Sequence, residues 1–193
     1  MMDPIRTFLA IPLPSEIRDY LISFVQPIMD RDNHINWVKQ ENIHITIAFL
    51  GDTDPTVVEE QAKGIEDLLV QYPAVDMGLT DTGIFPHANN PRVLWVGAMP
   101  FNTSLVNLVG GLKDHLRSLG YELDNRKFQP HITLGRVKSI SRKSNFIHDF
   151  LSSEVRAMDF TVGEIIWYES TLTAAGAVYK ELKTFKLKVG GQG

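Results

Sequence analysis

The chain has 193 residues, 44% of them hydrophobic, with 19 Lys and Arg against 23 Asp and Glu, a net charge of −4. That content supplies a real interior and excludes a disordered chain, and the acidic balance provides no field for a long footprint on duplex DNA, which rests on many phosphate contacts. There is no cysteine, so disulfides, thiolate zinc sites and a cysteine nucleophile are excluded.

The start, Met1 to Leu13, carries Asp3 and two prolines and does not read as a signal peptide, and no apolar run approaches the ~20 residues that span a bilayer. A cytoplasmic protein without a membrane segment is expected. Thr7 to Ile11 reads as a strand, and Pro12-Leu13-Pro14-Ser15 turns the chain. Residues 15 to 29 place Ile17, Leu21, Phe24, Val25 and Ile28 at helical spacing, with Ser15 as the N-cap. A short strand follows at Ile35 to Val38, then a strand from Ile43 to Leu50, ended by Gly51 to Pro55. A helix from about 55 to 71 and a strand from Val75 to Ile84 complete the first half.

The second half repeats this order: a strand at Val93 to Val96, then a helix over 103 to 119 with Leu105, Leu108, Val109, Leu112 and Leu116 inward. A connection from Tyr121 to Phe128 leads to a strand at Ile132 to Val137. A short helix around 142 to 151 and a long strand from Ala157 to Ser170 come next. A last strand, Ala177 to Lys188, has no counterpart and closes the sheet. The tail Gly190 to Gly193 reads as frayed.

Within this repeat sits a shorter one. His44-Ile45-Thr46-Ile47 and His131-Ile132-Thr133-Leu134 start 87 residues apart. Both lie in alternating polar/apolar runs, so each strand shows His and Thr to one side and its apolar pair to the other. Arg6 precedes His44 by 38 residues and Arg92 precedes His131 by 39, which supports a duplication with a pseudo-twofold axis. The expected unit is one domain over 1–193, with intertwined halves at about 5–90 and 91–188.

Two such strands facing each other carry the groups that open a cyclic phosphodiester. One imidazole takes a proton from water, the other gives a proton to the leaving oxygen, and the Thr hydroxyls donate to the phosphoryl oxygens. A single His-x-Thr is more often packing or surface; the same offsets twice argue against that, since a buried polar pair must find partners.

Arg136 is a candidate for neutralising phosphate, although strict alternation puts it opposite His131 and Thr133 unless Gly135 allows a bulge. Its equivalent in the first copy, Phe49, is a candidate for stacking on a base. Trp95, Phe85, Phe128 and Tyr168 could stack too, but each is better explained by the core. Local basic spots are Arg126-Lys127, Arg136-Val137-Lys138 and Arg142-Lys143. His34, His87, His115 and His148 show no repeat relation, and His115 is expected on its helix surface. No histidine spacing suits zinc, so neither metal nor cofactor is expected.

The two motifs, Arg6 to Pro14, Glu41 to Gly51, Pro91 to Trp95, Phe128 to Arg136, Tyr168-Glu169-Ser170 and Tyr179 to Leu182 together resemble the two-histidine (2H) phosphoesterases, and within them the RNA 2′,3′-cyclic phosphodiesterases, also called 2′-5′ RNA ligases. The resemblance covers about residues 5 to 188. It implies an α+β bilobal fold with two antiparallel sheets lining a central cleft and helices outside. It also implies metal-free hydrolysis of 2′,3′-cyclic phosphate ends of RNA or nucleotides to 2′-phosphomonoesters; apart from the resemblance, a monomer is expected. By motif order it makes His44 the proton donor and His131 the proton acceptor, with Thr46 and Thr133 as the motif threonines. Some relatives carry Arg where this chain has Ala48, which throws weight onto Arg136. End ligation at the same site, a nucleotide-binding module without turnover and a purely structural domain are the competing readings.

Overall fold

The computed structural model describes residues 3–30, 34–139, 145–174 and 176–188. In chain order the elements are β1 (Ile5–Pro12), α1 (Ser15–Met29), β2 (Ile35–Trp37), β3 (His44–Thr53), α2 (Val58–Leu69), β4 (Val75–His87), β5 (Asn90–Pro100), α3 (Ser104–Ser118), β6 (His131–Val137), α4 (Phe146–Leu151), β7 (Asp159–Val162), β8 (Glu164–Thr173) and β9 (Gly176–Lys186). Short 3-10 turns at Gln40–Asn42 and Pro55–Val57 lead into β3 and α2. Among the described residues no helix is long and apolar enough to cross a membrane.

The strands run β7-β4-β5-β6-β3-β1-β8-β9, with β2 added on β6. Two antiparallel halves of four strands meet between β6 and β3, joined by the single pair Ile45↔Ile132. These two residues hold the same place in the two motifs, so the pair marks the pseudo-twofold axis. The two expected sheets are therefore continuous through this seam. By position β3 matches β6, β1 matches β5, β8 matches β4 and β9 matches β7. The sequence halves interlock: β4, from the first half, pairs with β5 of the second, and β8, from the second, pairs with β1 of the first.

The apolar residues of the motif strands face the helices. Ile45, Ile47, Ile132 and Leu134 are buried together with Ile17, Leu21, Val25 and Ile28 of α1 and Leu105, Leu108, Leu112 and Leu116 of α3. His and Thr, at the alternate positions, are left on the opposite face, which becomes the cleft.

Several expectations change. The long strand over 157–170 breaks at Gly163: β7 pairs with β4 and β8 with β1, on opposite flanks of the sheet, so one strand could not serve both. The last strand does have a positional counterpart, β7. Pro14 takes the N-cap position of α1 without a side-chain bond, and Ser15 is already helical. β3 runs on past Gly51 to Thr53, where the hydroxyls of Thr7 and Thr53 bond at 2.7 Å in a buried position. His115 is not simply a surface residue. Its Nε2 is buried without a hydrogen-bond partner, where a Cβ on Gly64 of α2 would lie 3.0 Å away. Of the helix expected around 142 to 151, residues Phe146–Leu151 are helical. Residues 142–144, with Arg142-Lys143, and the tail 190–193 lie outside the described residues.

Candidate active site

The motif strands do not keep strict alternation. Along β6, Thr133 pairs with Trp95 and Gly135 with Leu94, so Leu134 is an extra residue against β5. Along β3, Thr46 pairs with Ala10 and Ala48 with Leu9, so Ile47 is an extra residue against β1. Ile47 and Leu134 are equivalent positions, so the bulge is duplicated with the motif. One extra residue reverses the facing of everything beyond it. The cleft-facing series therefore passes from Thr133 to Arg136 and from Thr46 to Phe49. Gly135 is needed because β2 crosses close to it: a Cβ there would meet Ile35 Cγ2 at 2.6 Å.

Each histidine is held by the carbonyl two residues before it. His44 Nδ1 donates to Asn42 O at 2.8 Å and His131 Nδ1 donates to Gln129 O at 2.7 Å. A carbonyl can only accept, so both rings carry a proton on Nδ1 and leave Nε2 for chemistry. Thr46 Oγ1 lies 3.0 Å from His44 Nε2, donating to it while the ring is neutral.

The two imidazoles have different surroundings. His44 is packed by Phe8 (ring centroids 5.1 Å apart), Tyr179 (5.5 Å, edge-on) and Tyr168 (6.4 Å). His131 stands against Phe85 (5.0 Å, edge-on) and Trp95 (6.1 Å), and its carbonyl bond is exposed. Phe85, Trp95 and Tyr168, which the sequence assigned to the core, thus line the cleft; Phe128 packs against the core. Phe49 is exposed, 6.0 Å from Phe8.

Burial pushes His44 down to about 4, against the opposing effect of its Asn42 carbonyl bond, and the charges of Arg136 and His131 lower it further. Arg136 acts on His44 although it follows the other histidine in sequence, because strands running antiparallel from the seam bring the far end of β6 toward the start of β3. Burial likewise raises Tyr168 to about 12 and raises Tyr179, so both phenols stay protonated near neutrality. Arg126 is paired with Asp124 at the surface. Among the described residues no group of three or more His, Asp or Glu is placed to hold a metal ion.

Sequence reasoning missed Phe8, Tyr179 and Asn42 as site residues. Phe8 is brought there by register, lying two residues from Ala10, the cross-strand partner of Thr46, and no local signal marks it.

The close packing of Trp95 on its neighbour gives one expected result. Gly83 is its cross-strand partner, and a Cβ there would lie 2.0 Å from Trp95 Cζ2. Gly83→Ala must move the indole, which costs about 1–3 kcal/mol for an overpacked interior site. Thermal melting checks it; an unchanged melting temperature would contradict the packing.

The LigT like Phosphoesterase family profile matches this chain twice, over residues 11–95 and 96–179. A Methanocaldococcus jannaschii protein named RNA 2′,3′-cyclic phosphodiesterase is 34% identical, over 92% of this chain and 98% of its own length. A Thermotoga maritima protein of the same name is 32% identical over 92% of each. Among solved structures, Escherichia coli LigT complexed with 3′-AMP superposes with a TM-score of 0.72 at 26% identity, over 96% of this chain and 99% of that one. Two matched repeats, each holding one of the bulged His-x-Thr strands, establish that the chain belongs to the LigT-like phosphoesterase family.

Proposed function

We propose that this chain hydrolyses 2′,3′-cyclic phosphates on RNA ends or nucleotides to 2′-phosphomonoesters by metal-free acid/base catalysis. The observation that carries the division of labour is the inequality of the two histidines. His44 is enclosed by three aromatic rings, whereas His131 has an exposed side from which water can enter. His131 Nε2 takes a proton from water as the water oxygen attacks phosphorus. The bond from phosphorus to the 3′ oxygen breaks, and His44 Nε2 delivers its proton to that oxygen. His131 ends protonated and His44 neutral, and exchange with solvent resets both. Thr46 and Thr133 donate to the non-bridging oxygens, Arg136 offsets their charge and Phe49 stacks on the base.

In this reading the chain acts as one unit over 1–193, as a cytoplasmic monomer. It takes single phosphate-bearing ends rather than duplex DNA, consistent with a net charge of −4. The names of the relatives, RNA 2′,3′-cyclic phosphodiesterase, support the substrate class.

The test is digestion of 2′,3′-cyclic AMP and of cyclic-phosphate-ended RNA, each with and without EDTA, followed by separation of the 2′- and 3′-monophosphates. Turnover that survives EDTA and yields the 2′ isomer is expected. Predominant 3′ isomer would exchange the roles of His44 and His131; no turnover of either substrate would overturn the function; activity restored only by added metal would overturn the metal-free route. Arg136→Met should raise KM and lower kcat/KM about tenfold, the value of one charge-assisted contact to phosphate. Unchanged kinetics would remove Arg136 from the site.

A further inference from the structure

The carbonyl that anchors each histidine is duplicated, but what the anchoring residue does besides is not. In the second copy Gln129 gives its main-chain carbonyl to His131 and makes no side-chain hydrogen bond among the described residues. In the first copy Asn42 works twice. Its carbonyl accepts from His44 Nδ1 at 2.8 Å, and its side-chain Nδ2 donates to Ala177 O at 2.7 Å, across 135 residues of sequence. Ala177 lies in β9, two residues before Tyr179, whose ring meets the His44 imidazole edge-on at 5.5 Å and Phe8 at 4.9 Å.

That stretch of β9 needs a tie. Pairing of β8 with β1 ends at Thr7↔Glu169, and beyond it Ser170 to Thr173 pair with Gly176 to Tyr179 of β9. Leu172 and Val178 of this hairpin are exposed, and a two-stranded hairpin alone is marginal in water. The Asn42 amide fixes this overhang to the wall that carries His44.

We infer that Asn42 is a positioning residue: through its bond to Ala177 it holds Tyr179 against His44, closing that side of the cleft to water and leaving the His131 side open. This rests on the assignment of His44 as the proton donor. The charged groups acting on His44 are Arg136 and His131, both on β6; Tyr168 of β8 and Tyr179 of β9 are neutral, with Arg6 of β1 acting on Tyr179 and Glu181 on Tyr168. None of these charges is altered when Asn42 is replaced, so a change at His44 reports water reaching the ring.

The experiment compares Asn42→Ala, Tyr179→Ala and the double variant. Asn42→Ala keeps the main-chain carbonyl and removes only the tie. NMR titration of the His44 ring in the ligand-free protein should show its midpoint rising by about one unit or more in each single variant, as solvent relieves the desolvation. For hydrolysis of 2′,3′-cyclic AMP, kcat should fall about tenfold with little change in KM, as a mis-set general acid requires. The double variant should cost no more than the larger single one, because both act on one shield. A His44 midpoint unmoved in folded Asn42→Ala, or fully additive losses, would overturn the proposal. Should Asn42→Ala not fold, Tyr179→Ala makes the same demand on the His44 titration alone. The titration needs no turnover, so a wild-type protein inactive on cyclic phosphates would sink the functional reading and leave this one separately decided.

Discussion

His44→Ala and His131→Ala should each lower kcat on a 2′,3′-cyclic nucleotide by at least ~10²-fold, the lower bound for removing a general acid or base. The fold should survive both changes, since each side chain lies on the cleft face and its deletion leaves the apolar face, with Ile45 and Ile132 at the seam, intact. The double variant should be barely worse than either single one, because an acid without a base, or a base without an acid, completes no in-line displacement. Thr46→Val and Thr133→Val remove one hydroxyl donor each while the proton relay remains, so their individual losses should be smaller. They need not be equal: Thr46 also reaches His44 Nε2 at 3.0 Å, a bond that has no counterpart between His131 and Thr133 among the described residues. Steady-state kinetics with circular dichroism as the fold control decides the matter. Near-native rates in both histidine variants, with dead threonine variants, would mean that the imidazoles only shape the cavity.

What the sequence displays well is what is encoded locally. The helix over 15 to 29 matches α1 because its apolar spacing lies within one element. The two His-x-Thr pairs announce themselves because a strand's two faces are written in alternate residues. Register is not written that way. The bulges at Ile47 and Leu134 exist only relative to β1 and β5, strands some 38 residues earlier in the chain, so counting along one strand turns Arg136 to the wrong face. Gly135 hinted at the possibility, and the closeness of β2 supplies the reason for it.

The break at Gly163 was hidden for a similar cause. The strands on either side are both good strand sequences, and only the pairing of β7 with β4 and β8 with β1 pulls them apart. Asn42 is two residues from His44, whereas Tyr179 reaches it from the last strand of the sheet. No periodicity could connect residues 42 and 177, whereas the sheet order β3-β1-β8-β9 does.

The second large effect concerns the proton on His44. In the free protein burial and the charges of Arg136 and His131 hold its ring at about 4, so it is neutral at pH 7, with Nδ1 donating to Asn42 and Nε2 accepting from Thr46. A general acid needs the opposite state. The substrate supplies it: an anionic phosphate in the cleft offsets the charge of Arg136 and accepts a hydrogen bond from protonated Nε2, which favours imidazolium. Binding of 2′-AMP at pH 7 should therefore take up a proton at His44, seen as a binding enthalpy that varies with the buffer's ionisation enthalpy. NMR should show the His44 midpoint climbing by about two units, roughly a hundredfold in the protonation equilibrium. The same depression sets a stability slope. Since the folded value lies below the ordinary 6.5, the contribution of neutral His44 is complete above pH 6.5 and is lost as pH falls from there toward 4, about 3 kcal/mol in all. His44→Gln should flatten that part of the acid stability curve and abolish the linked proton uptake. A free-protein midpoint near 6.5, or 2′-AMP binding with the same proton count in wild type and His44→Gln, would show that His44 is not the group protonated by substrate.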